Sequence, residues 1–259
     1  MARQNSRVEV ITFMYNEQFL LPFFLKHYDL VDKINVIYDQ DSDDNTLNIL
    51  TSNPKVNVIP FRFPDMMDDF LKVKEIDEVY KNLHDCSRIL LVDADEFIFI
   101  DRGMLERIKC PVVNVKLFNV YRHISEGDLD ANKPVKEQRR HGVFVKMYNK
   151  PIIAKTGLDL IWGVGNHKIS SLHFYNKARY IMVNFITRHR LAIAHDCGVI
   201  GAHWVNADPC FCVERRIKGR RDRQSKFNLE RGLTAQHHNI SVESVLAECK
   251  MHENDPIVF

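Results

Sequence analysis

The sequence predicts an α/β fold: a Rossmann-like, mostly parallel sheet with helices on both faces, followed by a helical extension at the C-terminus. Three observations carry that expectation. Apolar, β-branched runs alternate with helical patterns about three times in the first hundred residues, as expected of a parallel sheet with crossover helices. One of these runs, Ile89-Leu90-Leu91-Val92, is apolar without a break, as in a strand covered on both faces. Polar clusters stand at three strand ends, at Asn16-Glu17, at 39–44 and at 93–96, and right-handed crossovers would gather them on one edge of the sheet. In open α/β sheets that edge binds ligands.

Each element has a local reason. Residues 8–14 (Val-Glu-Val-Ile-Thr-Phe-Met) form the first strand. Asn16 is a candidate N-cap for the helix that follows, on which Phe19, Leu20, Phe23, Phe24 and His27 share a face. Pro22 is tolerated only in the first helical turn and moves the start toward Leu21. A second strand, 33–38, runs into a dense polar turn, and 46–50 open a second helix. Residues 56–59 form the third strand, 65–83 a long amphipathic helix with acids in its first turn, and 89–92 the fourth strand.

Beyond 105 the pattern changes. Residues 112–118 alternate like a strand with one exposed face. The polar stretch 123–141, with Gly127, Pro134 and the pair Arg139-Arg140, has the length of a lid or acceptor-binding loop, or of a disordered one. Residues 143–148, 178–185, 191–194 and 199–205 are further strands. The loop 157–168 sets Gly157, Gly163 and Gly165 beside Asp159, Trp162, His167 and Lys168, a composition that lets backbone approach a ligand. The last 50 residues read as helical, with 214–226 strongly basic.

Composition narrows the function classes. The chain of 259 residues is 45% hydrophobic and 27% charged, ordinary for a globular protein with a full core. A net charge of +2 provides no global field for nucleic acid and argues against that partner. The basic run 214–226 is either a solvated helix face or a contact for an anionic lipid surface or substrate phosphates. The six cysteines form no Cys-x-x-Cys pair, which suits a reducing compartment where they pack as small apolar residues. Residues 1–8 are polar, and no stretch approaches the roughly 20 apolar residues of a membrane span. The expectation is a cytoplasmic protein, peripheral to a membrane at most.

The chemistry concentrates at Asp93-Ala94-Asp95-Glu96. A turn at Ala94 can bring alternate carboxylates onto one hard cation, for which oxygen ligands suit Mg²⁺ or Mn²⁺. The alternative for a lone Asp-x-Asp is a solvated acidic turn. Three segments must be taken together: Met14-Tyr15-Asn16-Glu17 with Phe19-Leu20, Phe24-Leu25 and His27-Tyr28; Tyr38-Asp39-Gln40-Asp41-Ser42-Asp43-Asp44-Asn45-Thr46; and Val92-Asp93-Ala94-Asp95-Glu96-Phe97. They resemble the K-N-E, D-N-x-S-x-D-G-T and D-x-D-E-F segments of glycosyltransferases of the GT-A fold, closest to the family 2-like group. Tyr15 replaces the usual Lys or Arg, and Asn45 the usual Gly. Gly165-Asn166-His167-Lys168 is similar to a G-N-H-K element. His203-Trp204-Val205, with Arg215 and Gly219, is similar to the closing H-Y-P-x-R-S…G segment. Ala207 stands where that segment commonly has Arg, so Arg215 or Arg216 would take over its phosphate contact. The likeness spans residues 8–220.

The resemblance implies inverting transfer of a sugar from a nucleotide diphosphate sugar, a UDP-sugar first, to a hydroxyl of a glycan or lipid-linked sugar acceptor. Mn²⁺ or Mg²⁺ would stabilise the leaving diphosphate. It implies a catalytic domain over 1–205, with a nucleotide-sugar half (1–105) and an acceptor half (106–205), before a basic helical extension over 206–259. By similarity, Asp95 ligates the metal. Asp93 joins it or contacts the ribose or a metal-bound water. His203 completes the metal shell or touches the diphosphate, unless it is a core histidine at a strand end. Asp39 reads the nucleobase or ribose, unless it caps its own turn. Asn16 and Glu17 line the same pocket, Arg215 meets phosphate, and Glu96 holds the local geometry. The general base is Asp159, with His167 and Asp196 as competitors.

Two other classes fit part of the pattern. A metal-dependent nucleotidyl or phosphoryl transferase would use the same acids on a triphosphate, but no G-x-x-x-x-G-K-[ST] loop is present. A non-catalytic carbohydrate- or membrane-binding module would need neither metal nor nucleotide.

Overall fold

The computed structural model describes residues 7–158, 160–167, 169–171, 194–230, 232 and 238–259. Strands β1 (Val8–Met14), β2 (Lys33–Asp39), β3 (Val56–Phe61) and β4 (Arg88–Leu91) form a parallel half-sheet in the order β3-β2-β1-β4. All seven residues of β1 are buried, because side chains alternate between two covered faces. Val8, Val10 and Met14 join the cluster under α1 (Leu21–His27) and α2 (Thr46–Thr51). Ile11 and Phe13 join the cluster under α3 (Asp69–Lys81). This is the α/β class the sequence predicts, with a Rossmann-like sheet between helical layers.

The sheet continues past β4 with mixed polarity. β8 (Lys150–Lys155) runs antiparallel to β4, and β6 (Val112–Tyr121) antiparallel to β8. β11 (Ala194–Asn206) lies parallel to β6, and β5 (Glu96–Phe99) antiparallel to β11. β7 (Gly142–Phe144) pairs with β6, which completes nine strands among the described residues. Gly142 is required there, since a Cβ would meet the Asn119 carbonyl oxygen at 2.0 Å. A two-stranded ribbon, β9 (Leu160–Trp162) and β10 (Ile169–Ser171), packs on α3 through Tyr80 and Trp162, whose ring centroids are 4.7 Å apart. From β1 the chain turns one way to β2 while β4 lies on the other side. The crevice at the carboxyl ends of β1 and β4 is therefore a topological switch point.

Several local expectations change. Helix α1 starts at Leu21, as Pro22 requires, and Asn16 does not cap it. Asn16 instead adopts a left-handed φ of 50°, a conformation in which asparagine is one of the few tolerated residues. α3 spans 69–81 rather than 65–83, because the Asp68 side chain accepts the amides of Phe70 and Leu71 and sets the start. The stretch 123–141 runs mostly at the surface, as expected, but it is ordered in part. It contains α5 (Val135–Gln138), after α4 (Arg102–Arg107), and it buries Arg139, whose Nε donates to the Ala207 carbonyl at 2.6 Å. The strand expected over 143–148 stops at Phe144 and gives way to a 3₁₀ turn. The basic run 214–226 is not one helix: α6 (Pro209–Ile217) ends first, a 3₁₀ turn covers Arg221–Arg223, and α7 (Lys226–Glu230) follows. Gly219 permits this break, since a Cβ there would meet the Arg215 carbonyl at 2.6 Å. α8 (Val242–Met251) packs on α6 through Val245 and Cys249. The expected strand 178–185 and residues 191–193 of the expected strand 191–194 lie outside the described residues.

Cys86, Cys212 and Cys249 are buried, Cys110 and Cys197 half-buried and Cys210 exposed, all as free thiols. No described helix is long and apolar enough to cross a membrane.

Asp77 on α3 accepts the Trp162 amide at 3.0 Å and so ties the ribbon to the sheet. Burial pushes its pKa up to about 6, against the opposing pull of that amide and Lys81. An unfolded aspartate titrates near 3.9, so the folded state holds an extra proton between these values. The stability this gives is present below about pH 4 and lost as the pH rises through about 6. Asp77→Asn keeps an oxygen acceptor and removes the buried charge. It should raise unfolding stability at pH 8 by about 1–3 kcal/mol and by about half as much at pH 5. Urea midpoints of both proteins at the two pH values check this; an equal gain at both would refute it.

Candidate functional site

The ends of β1 and β2 are bound to each other. Asn16 Nδ2 donates to Asp43 Oδ1 at 2.6 Å and its Oδ1 accepts the Asp43 amide at 2.9 Å. The Glu17 amide donates to Thr46 Oγ1 at 2.7 Å. Asn16 is therefore the clasp between two turns. Asp39, fully buried, does two things at once: Oδ1 accepts the Asp41 amide at 3.1 Å, capping its turn, and Oδ2 accepts Arg223 Nη2 at 2.6 Å. The Arg223 guanidinium lies 3.3 Å above the centre of the Tyr15 ring.

The acids after β4 sit among cations. Asp93 accepts Lys72 Nζ at 3.1 Å on one oxygen and Lys150 Nζ at 2.8 Å on the other. Burial alone would raise the Asp93 pKa, but Lys150 and Lys72 outweigh it and hold the carboxyl well below its ordinary range. Lys150 also meets Glu96 at 2.5 Å, and Glu96 accepts the Asp93 amide at 2.9 Å, so Glu96 fixes the turn. Asp95 Oδ2 lies 3.1 Å from Arg215 Nε and 3.4 Å from His203 Nε2. Burial opposes ionisation of Asp95, and Arg215 and His203 reverse it, leaving the carboxyl below its ordinary range. Arg215 Nη1 also bonds Glu17. Burial nonetheless pushes Glu17 up to about 7, because Asp95 shares the guanidinium and Glu17 Oε2 is buried without a hydrogen-bond partner. Arg215 itself is held above its ordinary value: burial opposes its charge, but Asp95 and Glu17 together prevail.

His203 is aimed by its neighbour. Its Nδ1 lies 2.8 Å from Asn119 Oδ1, an acceptor, so a neutral ring carries its proton on Nδ1 and turns the Nε2 lone pair toward Asp95. Two acceptors 3.4 Å apart need a proton or a cation between them. A histidine whose second nitrogen donates to an oxygen is the usual arrangement of a metal ligand. Asp95 and His203 are thus two donors of a kind that a divalent cation accepts. Asp93 has both oxygens occupied by lysines, which puts it beside that position rather than on it. Among the described residues no group of three or more His, Cys, Asp or Glu side chains is placed to hold a metal by itself.

Arg215 separates two cavities. A small one, about 30 Å³, is lined by Tyr15, Glu17, Lys72, Asp93, Arg220 and Arg223 among others. A larger one, about 250 Å³, is lined by Asn119, Tyr148, His203, Arg216 and Glu248 among others. Of the expected bases, Asp159 lies outside the described residues. His167 is exposed near Tyr148, with ring centroids 6.3 Å apart, and desolvation and the Lys150 charge push its pKa down to about 4. Asp196 cannot compete: it is exposed, pairs with Lys116 at 2.7 Å, and stands seven residues before His203 on β11, roughly 20 Å along the strand. The basic run does not form one lipid-facing surface either. Arg215, Arg216 and Arg223 turn inward to Glu17 and Asp95, Glu248, and Asp39, while Lys218 and Lys226 face solvent.

Sequence reasoning did not single out Lys72, Lys150 or Asn119. The signal was present for the lysines. Lys72 stands one turn before Ile76 on the buried face of α3, and Lys150 opens a strand whose next four residues are apolar. A lysine on an apolar face needs a buried counter-charge. Asn119 had no such signal, since only the register of β6 on β11 places it opposite His203.

No protein-family model matches this chain, and no curated protein does. Solved structures with partial likeness include a 4-diphosphocytidyl-2C-methyl-D-erythritol synthase, 13% identical over 60% of this chain and 76% of that one, with a TM-score of 0.34. Another is the synthase of the same name from Anaerococcus prevotii DSM 20548, 11% identical over 58% and 68%, with a TM-score of 0.30. At such TM-scores the likeness carries nothing about the site.

Arg215 is the shared partner of two buried carboxylates, so Arg215→Ala strands both. The expected loss is about 3–5 kcal/mol of unfolding stability at pH 7, read from urea unfolding by circular dichroism. A midpoint equal to wild type would show that the shared ion pair does not hold the two strand ends together.

Proposed function

We propose that this protein is a divalent-metal-dependent transferase acting on a nucleotide-activated substrate, and within that class an inverting glycosyltransferase using a nucleotide diphosphate sugar, a UDP-sugar first. The observation that carries the reading is the Asp95–His203 pair, a carboxylate oxygen and an imidazole nitrogen 3.4 Å apart at the switch point, with a cavity on either side of the neighbouring Arg215. Acids that fit a metal, ringed by cations, suit a polyphosphate. The larger cavity has the size of a sugar-scale group, and the smaller one, about 30 Å³, has that of a water or two beside the cations.

In this reading the nucleotide enters at the ends of β1 and β2, where Tyr15 offers a ring face and Asp39 an acceptor. The diphosphate lies along Lys72 and Arg215. Mn²⁺ or Mg²⁺, when bound at Asp95 and His203, offsets the charge of the leaving diphosphate. The acceptor, a glycan or lipid-linked sugar, occupies the larger cavity, where the Tyr148 ring and the Asn119 and Asn206 amides line the wall. His167, with its pKa pushed down to about 4, is neutral at pH 7 and a weak base. Asp159 keeps the proposed role of general base.

One observation favours a second reading. Lys72, Lys150, Arg215, Arg220 and Arg223 crowd around Asp93 and Asp95, enough positive charge for a triphosphate and hence for nucleotidyl transfer. The two chemistries differ in what leaves: a nucleoside diphosphate in one, pyrophosphate in the other.

The test supplies nucleotide sugars with acceptor glycans, and nucleoside triphosphates with sugar phosphates, each with Mn²⁺, and identifies the released product by mass spectrometry. Nucleoside diphosphate release is expected. Pyrophosphate release would move the assignment to nucleotidyl transfer, and no turnover of either kind would sink the transferase reading. Asp95→Asn should lower turnover by about 10²–10³-fold, the scale of removing one transition-state charge partner, with an unchanged circular dichroism spectrum. Full activity of that variant in the presence of a chelator would defeat the metal assignment.

A further inference from the structure

The four arginines around the site are not equivalent. Arg215 is paired with Glu17 and Asp95, Arg216 with Glu248 at 2.7 Å, and Arg223 with Asp39 at 2.6 Å. Among the described residues no carboxylate lies within ion-pair distance of Arg220. The contact of its guanidinium is Nη1 at 4.0 Å from the Met67 sulfur, a weak acceptor. Yet Arg220 is half-buried, and it lines both cavities. A guanidinium drawn partly out of water with its donors unused is costly unless a counter-ion completes it.

The backbone fixes Arg220 in that place. Gly219 lets the chain fold back onto the Arg215 carbonyl, which a Cβ would approach to 2.6 Å. The Arg220 carbonyl accepts Gln224 Nε2 at 3.2 Å and the Arg223 amide at 3.3 Å. Its charge is felt at Asp93 and Glu17 across the smaller cavity without contact to either. The side chain is thus held, placed on the wall of two cavities and, among the described residues, left without a protein anion.

We propose that Arg220 is the anchor for a phosphate group bound where the two cavities meet, an assignment that rests on the transferase reading and extends it. The planar guanidinium matches two phosphate oxygens at once, and Lys72 stands on the wall of the same cavity. The phosphate has two possible sources: the diphosphate of the nucleotide, or a phosphate carried by the acceptor.

Isothermal titration of wild type and Arg220→Gln decides among them. The probes are UDP, GDP and CDP with Mn²⁺, the three nucleosides, inorganic pyrophosphate alone, and glucose 6-phosphate. Arg220 leaves no carboxylate unpaired when removed, so the variant should melt with wild type. Loss of about 10–100-fold in nucleoside diphosphate affinity, the range of charge-assisted hydrogen bonds, with nucleoside binding unchanged, assigns the phosphate to the donor. Unchanged diphosphate binding with loss of glucose 6-phosphate assigns it to the acceptor. Equal affinity of both proteins for every phosphate probe overturns the proposal. If no nucleoside diphosphate binds wild type, the transferase reading fails by itself, and pyrophosphate still decides Arg220: binding lost in the variant supports the anchor, and binding equal in both or absent from both rejects it.

Discussion

Everything at the carboxyl edge of the sheet depends on the guanidinium of Arg215. It reaches from α6 to Glu17 after β1 and to Asp95 after β4, so one side chain joins both lips of the crevice to the C-terminal segment. The two lips are also where burial is hardest on charge. Glu17 is driven toward the neutral form, while Asp95 is held ionised by Arg215 and His203. An ion pair divided between two acids favours one of them, and the winner is the one beside the histidine.

A second charged group lies beneath the first. Lys72, Lys150 and Glu96 are buried, Asp93 is half-buried, and the four are linked in a chain. Burying four charges is a poor route to stability, since desolvation offsets most of the Coulomb gain, and apolar residues of like volume often do as well. What such a chain does provide is a defined geometry. Asp93 is clamped from both sides, Glu96 holds its amide, and the turn between them delivers Asp95 to His203 at a set distance.

Much of this was legible in the sequence, for reasons that differ by element. Strands β1, β2 and β4 were readable because a strand buried on both faces is apolar over most of its length, even with Glu9, Asn35 and Arg88 buried among its residues. The acids at their ends were readable because a buried strand cannot hold them. The clasp of Asn16 and Asp43 was not: Asn16 looks like a helix cap, and only a contact 27 residues away shows otherwise. The inward turn of the basic run was hidden for the same reason. Seven cations along one stretch suggest a solvated helix face, and their partners, Glu17, Asp39, Asp95 and Glu248, stand on separate elements. Local pattern shows which residues must be buried; it does not show which distant charge meets them.

The seam between Met67 and Gln224 bears on how the molecule is made. The two residues pair as a parallel bridge, reinforced by Asn228, whose amide bonds the Met67 carbonyl and Asp69. The wall over the smaller cavity is therefore built from segments more than 150 residues apart in the chain. Contacts of such separation form late, after the intervening loop entropy has been overcome. During synthesis from the N-terminus, at about 5–20 residues per second, the first four strands and their acidic edge emerge well before the arginines that neutralise them. For that interval Lys72 can meet Asp93, but Glu17, Asp39 and Asp95 still lack their arginines, and the rim becomes a closed site only when the C-terminal segment arrives to cover it.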